Sequence, residues 1–178
     1  MLFRSIAWFN LGVLRADVGD LEGAETAYRS AVEISPRFHQ ARINAGLVAE
    51  RQGRDVEAAR HWLTVAEAAV QGQPEARALA TIALNHLGRL QESRRHYAAA
   101  ESALAHSLHL DRSQPDAIQH WVHLRQKQCS WPVFTPIQGL SINQLMAATS
   151  PLAMLALLDD PAMQWFAAHR VARTGGAA

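Results

Sequence analysis

The strongest constraint on this chain is that it repeats itself. Gly12 and Gly46 stand 34 residues apart, and the same offset joins Asn10 to Asn44, Leu11 to Ala45, Gly19 to Gly53, Ala24 to Ala58, Tyr28 to Trp62 and Ala31 to Val65. Seven pairs at one spacing are hard to obtain by chance. A fixed period of this length marks a stack of small supersecondary units, each burying the face its neighbour leaves open. Gly12 and Gly46 sit inside obvious helical patterns, where each costs roughly 1 kcal/mol relative to Ala. Their recurrence requires that something approach the backbone closely there and return more than that cost.

Numbered from Ser5 and from His39, the units set Trp8 at position 4, Leu11 at 7, Gly12 and Gly46 at 8, Gly19 at 15, Ala24 and Ala58 at 20, Tyr28 and Trp62 at 24, Ala31 at 27 and Pro36 at 32. This pattern resembles the tetratricopeptide repeat, a helix–turn–helix of 34 residues; Arg15, where Tyr is usual, is the one departure. Helix A (5–18) and helix B (21–35) then cross closely because Gly12, Ala24 and Ala31 are small, while Trp8, Leu11 and Tyr28 fill the space around them. Gly19 makes the turn, and Pro36 closes helix B.

A third unit, 81–114, follows eight extra residues, with Leu84, Leu87, Gly88, Ala100, Leu104 and Ser107 at positions 4, 7, 8, 20, 24 and 27. A rival register makes Gly88 the turn glycine, with Tyr97 and Ala100 at positions 24 and 27; the first fits the unit's end before Pro115 better. The insert extends helix A backward to Pro74. A partial fourth unit, 115–128, offers a helix A with no matching helix B. The expected architecture is all-α, a right-handed α-solenoid over 5–128 (units 5–38, 39–72, 81–114 and the partial unit), a helical junction or cap over 129–173 and a disordered tail over 174–178.

Stacked A helices would line a groove. Position 6 carries Asn10, Asn44, His86 and His120; position 5 carries Phe9, Ile43, Asn85 and Gln119; position 13 carries Asp17, Arg51, Ser93 and Lys127. Amides and imidazoles both donate and accept hydrogen bonds, as holding an extended peptide backbone requires. The plainer alternative is that Asn and His merely tolerate a solvated helix face.

Other functions find little support. Of 178 residues, 49% are hydrophobic and 19% charged, with net charge +1, which argues against a nucleic-acid binder driven by phosphate neutralisation. No apolar run reaches the roughly 18 residues of a membrane span, and the single Cys129 fits a reducing compartment; the expectation is a cytoplasmic protein. His106/His109 and His120/His123 share helix faces but lack the ligand spacing of a metal site. Cys129 lacks a His/Asn arrangement, and there is no phosphate loop or nucleophile elbow. No catalytic residue, metal or cofactor is expected, and the partner is a protein or peptide.

Beyond Gln128 the rhythm stops. Pro132 and Pro136 forbid a helix, leaving 130–140 as a loop anchored by Trp131, Val133 and Phe134. Ser141 with Gln144 forms a capping box, Pro151 opens a short helix, and Asp160–Pro161 opens another. Leu152, Met154, Leu155, Leu157, Leu158, Met163, Trp165 and Phe166 make these helices more apolar than an end cap needs, a surface for a partner, a further domain or a second copy of the chain.

The phrases "QPDAIQHWVHLRQKQCSWPVF" and "SPLAMLALLDDPAMQ" resemble the junction between repeats and catalytic region in SPINDLY/O-GlcNAc-transferase-type glycosyltransferases, over about Trp8 to Val171. The resemblance implies an asparagine file matching Asn10 and Asn44, from which His86 and His120 depart. It also implies a parent that transfers N-acetylglucosamine from UDP, or fucose from GDP, to protein hydroxyls through two Rossmann-like lobes. Those lobes are not in these 178 residues, and "SPLAMLALL" lacks the family's His. The chain is expected to be the non-catalytic front part of such a protein; the alternatives are an oligomerisation scaffold or a piece of an active transferase.

Overall fold

The computed structural model describes residues 2–137 and 139–175. Packing divides the chain into two units, Met1–Leu90 and Gln91–Ala178, a division that falls within a helix rather than at residue 128, where the rhythm ends. Helix is the only regular secondary structure of the described residues, apart from one isolated antiparallel bridge between Ile137 and Leu140. None of their helices is long and apolar enough to cross a membrane.

The first unit contains α1 (Leu2–Asp17), α2 (Leu21–Ile34), α3 (His39–Arg51), α4 (Asp55–Val70) and most of α5 (Pro74–Ser93), which starts at the proline the insert suggested. Consecutive helices α1 to α4 pack on one another, around Ala24, Tyr28, Ala31, Ala41, Ala45 and Val48. The glycines explain how. A methyl group on Gly12 would lie 2.6 Å from Tyr28 Cε1, and one on Gly46 would lie 2.8 Å from Trp62 Cε2. Both rings are buried, Tyr28 at 2% and Trp62 at 1% exposure. Burying a large apolar side chain contributes about 1.5–3 kcal/mol, more than the helix propensity each glycine sacrifices. Trp8 does not fit this scheme: it is 37% exposed.

Position 15 is the second recurring device. Gly19 (φ 83°), Gly53 (φ 75°), Arg95 (φ 61°) and Cys129 (φ 52°) all adopt the left-handed conformation. Each is followed by the same bond closing the helix end: Asp20 N–H to Arg15 O at 2.9 Å, Arg54 to Ala49 at 2.8 Å, His96 to Gln91 at 2.8 Å and Ser130 to Arg125 at 2.9 Å. This is the Schellman closure, executed by an arginine and a cysteine once the glycines run out. Gly88 lies buried inside α5, so Arg95, not Gly88, is the turn residue of the third pair.

The second unit holds α6 (Tyr97–Leu110), α7 (Pro115–Lys127), α8 (Ile142–Ala148), α9 (Pro151–Leu157) and α10 (Pro161–Gly175). Its core runs from Leu104 and Leu108 through Trp121 and Leu124 to Val133, Leu145 and Met154. After Cys129 the chain begins the turn toward a helix B and then departs into the 130–140 loop. Arg125 organises that loop. Its guanidinium donates to the carbonyls of Val133 (3.0 Å) and Pro132 (3.0 Å) and to Thr135 Oγ1 (3.0 Å), pairs with Glu101 at 2.5 Å, and lies 5.0 Å from the centre of the Trp121 ring. Val133 and Phe134 anchor the loop as expected; Trp131 does not, being 66% exposed.

The helix starts follow local chemistry. Ser141 and Gln144 form the capping box, Ser150 caps α9 ahead of Pro151, and Asp160 Oδ1 accepts from Ala162 N–H at 2.9 Å. Helix α10 continues through Thr174 and Gly175, which the sequence placed in a disordered tail; the rest of that tail, 176–178, lies outside the described residues. Leu152, Leu155, Trp165 and Phe166 are exposed, and α8 to α10 form an open, mainly apolar pocket of 310 Å³ lined by Met146, Met154, Met163 and Phe166.

Candidate functional site

In the first unit, α1, α2 and α3 leave a cleft of 150 Å³ between them. Its floor is Val13, Leu47 and Val48 with the Tyr28 hydroxyl, and Asn44, Asp17 and Arg51 stand around it. The repeat produces this arrangement. Position 6 and position 13 are seven residues, two helical turns, apart on one face, so α3 presents Asn44 and Arg51 in a row while α1 brings Asp17 to the other side.

Asn44 is half-buried and held in a set orientation. Its amide donates to the Tyr28 hydroxyl at 3.3 Å, and its oxygen accepts from Gln40 Nε2 at 3.3 Å. An amide has two donors and two acceptor sites, so one N–H and one lone pair are left over in a fixed direction. Burial pushes the Tyr28 hydroxyl up from its ordinary pKa, against the lowering effect of the Asn44 bond, with Asp17 raising it further and Arg51 lowering it. The tyrosine therefore remains a neutral donor and acceptor. Sequence reasoning assigned Tyr28 to packing alone; the signal available was its polar tip, which a buried Phe would lack.

The remaining expected groove residues lie outside this cleft. Asn10 is exposed on α1 and lies outside the cleft lining. Phe9 and Ile43 are core residues, a correction to their placement in the groove. Phe9 packs on Tyr28 and Phe38 with ring centres 5.9 and 5.0 Å away, and Ile43 is 1% exposed, its carbonyl accepting from Trp62 Nε1 at 3.3 Å. One residue is about 100° of helix rotation, enough to turn position 5 into the packed side of helix A.

His86, also at position 6, is half-buried and stacked on Trp62 with ring centres 5.3 Å apart and planes at 20°. Burial, followed by the Arg89 charge, lowers its pKa to about 4. Its Nδ1 faces the Arg89 guanidinium, so the neutral ring offers Nε2–H as donor. Asn85 beside it is half-buried.

In the second unit His120 and Lys127 are committed to one carboxylate. Glu92 receives His120 Nε2 at 2.5 Å and Lys127 Nζ at 2.7 Å. Burial alone would raise the Glu92 pKa; the bonds from Lys127 and His120 outweigh it and hold the carboxyl below its usual range. Gln119 is exposed. Among the described residues no three His, Cys, Asp or Glu side chains gather as metal ligands.

The first helical pair, residues 6–38, matches the family model described as tetratricopeptide repeat. No curated protein sequence matches the chain. Among solved structures, the fold is similar to a MamA double mutant (TM-score 0.55, 18% identity, covering 71% of this chain and 66% of that one). It is likewise similar to an N-terminally shortened MamA from Desulfovibrio magneticus RS-1 (0.54, 18%, 70% and 66%) and to a further MamA crystal structure (0.53, 14%, 83% and 74%). The matched part thus spans just under two thirds of the first two. At such identities the likeness is one of fold: paired antiparallel helices of the tetratricopeptide kind.

Proposed function

We propose that this chain is a protein–protein interaction module that holds an extended segment of a partner against the α1–α3 cleft. The observation that carries this is Asn44: half-buried, oriented by Tyr28 and Gln40, with unused hydrogen-bonding capacity above an apolar floor. A peptide backbone presents one donor and one acceptor per residue, the pair a fixed amide answers. Replacing Asn44 by Ala tests it. The expected result is an unchanged helical spectrum and roughly tenfold weaker binding of a peptide selected from a random library, as loss of a buried hydrogen bond implies; unchanged affinity overturns the proposal. The exposed thiol of Cys129 supports a reducing, cytoplasmic setting.

On the junction phrase, we further propose that the module is the non-catalytic front part of a SPINDLY/O-GlcNAc-transferase-like protein, with substrate presentation as its task. A reading frame running past Ala178 into strand–glycine–helix patterns supports this, and one without them contradicts it. The exposed Leu152, Leu155, Trp165 and Phe166 favour a second reading, self-association through α9 and α10. Light scattering of a variant with Leu155 and Trp165 changed to Ser should then give the monomer mass where the wild-type chain gives a dimer.

A further inference from the structure

Asp17 and Arg51 form an unmatched pair of opposite charges at the two sides of the cleft. Other charges around these helices are paired, Arg15 with Asp20 and Arg54 with Glu25 and Glu57; what sets Asp17 and Arg51 apart is that both line the cleft. Asp17 and Arg51 are exposed and have no ion-pair partner among the described residues. Both act on the Tyr28 hydroxyl, with opposite sign. Each is the last residue of its helix. There the helix dipole favours a cation and disfavours an anion, so Arg51 suits its position locally and Asp17 does not. Asp17 thus carries a charge that its own helix end disfavours, beside a cleft.

We propose that the cleft reads the charge order of its partner: it takes a segment with an aliphatic side chain in the floor, a basic residue against Asp17 and an acidic residue against Arg51. This rests on the groove reading above and adds a selectivity to it. A space of 150 Å³ floored by Val13, Leu47 and Val48 suits one aliphatic side chain such as Leu, Ile or Met. An extended chain points alternate residues the same way and advances about 3.3 Å per residue. The floor residue and those two before and two after it therefore face the cleft together, over roughly 13 Å. The recognised pattern is charge–x–aliphatic–x–opposite charge, in one order only.

Two synthetic peptides of identical composition test this, Gly-Ser-Lys-Ser-Leu-Ser-Glu-Ser-Gly and Gly-Ser-Glu-Ser-Leu-Ser-Lys-Ser-Gly, titrated into the full ¹⁵N-labelled chain. One order is expected to bind at least about fivefold more tightly, as two exposed charge pairs allow. That preference should shrink in roughly 1 M salt, where screening is short-ranged, and reverse in the double variant Asp17→Arg, Arg51→Asp. Should that variant not fold, Asp17→Asn and Arg51→Gln should each weaken the preference, and the two together should abolish it. Equal affinities with shifts at Asn44 and Arg51 overturn the charge order and leave the groove reading standing. Shifts produced only by library-selected peptides of unrelated pattern also overturn it, whereas no shift at the cleft with any peptide removes the groove reading itself.

Discussion

Trp62 covers Gly46 as Tyr28 covers Gly12: in each pair an aromatic ring of helix B lies where the side chain of helix A would have been. The repeat is this relationship, and its energetics are open to direct test.

In an exposed helix Gly→Ala stabilises by roughly 1 kcal/mol. At Gly46 the added methyl meets a buried indole, and overpacking of that kind costs about 1–3 kcal/mol. Gly46→Ala is therefore expected to lower the free energy of urea unfolding, by about 1 kcal/mol or more. Combining it with Trp62→Leu should cost less than the sum of the two, since they share one space.

Arg95 holds φ 61°, a conformation that costs an ordinary L-residue about 1–2 kcal/mol. Arg95→Gly should raise the thermal midpoint, corresponding to roughly 0.5–1 kcal/mol after the extra unfolded-state entropy of glycine. Gly53→Ala, in the same conformation, should lower it by a similar amount.

Arg125 is 14% exposed and joins Glu101 to the loop carbonyls. Arg125→Met keeps the apolar stem but leaves the mostly buried Glu101 carboxylate without its cation, with Gln128 Nε2 still donating to it at 2.9 Å. A loss of about 2–3 kcal/mol is expected, between the values for surface and buried pairs, with faster amide exchange over 130–135.

His86 has a pKa of about 4 in the folded chain, set first by burial and then by Arg89, against about 6.5 unfolded. The folded state thus resists protonation that the unfolded state accepts. Stability is at its full value above the unfolded pKa and falls as pH drops from 6.5 toward 4. The contribution is roughly 1–2 kcal/mol, discounted for the partly exposed ring. His61, lowered chiefly by burial, has the same sign. His86→Gln should show a smaller loss of urea stability between pH 7 and pH 4.5 than wild type; an equal loss contradicts the assignment.

Much of this was readable in advance because it is local. The glycine–ring pairs, the extension of α5 back to Pro74, and the starts at Ser141, Pro151 and Asp160 follow from spacing and capping chemistry. What escaped depends on three-dimensional neighbours. Arg95 and Cys129 carry no sign of the left-handed turn they make, because glycine is the only local signal for it. Phe9 and Ile43 look like their polar neighbours at position 6 until helix rotation turns them inward. Trp8 and Trp131 read as packing residues, yet they are 37% and 66% exposed. His120 and Lys127 were legible as groove residues only while Glu92, 28 and 35 positions earlier, was out of view.

The central claim is that the α1–α3 cleft holds partner peptide through Asn44. Mapping ¹⁵N chemical shifts on the full chain, with a library-selected peptide, addresses it directly. The account predicts shifts at the Asn44 side-chain amide and at the backbone of 13–17 and 44–51, lost with Asn44→Ala. Shifts confined to α8–α10, or unchanged by that substitution, would contradict it.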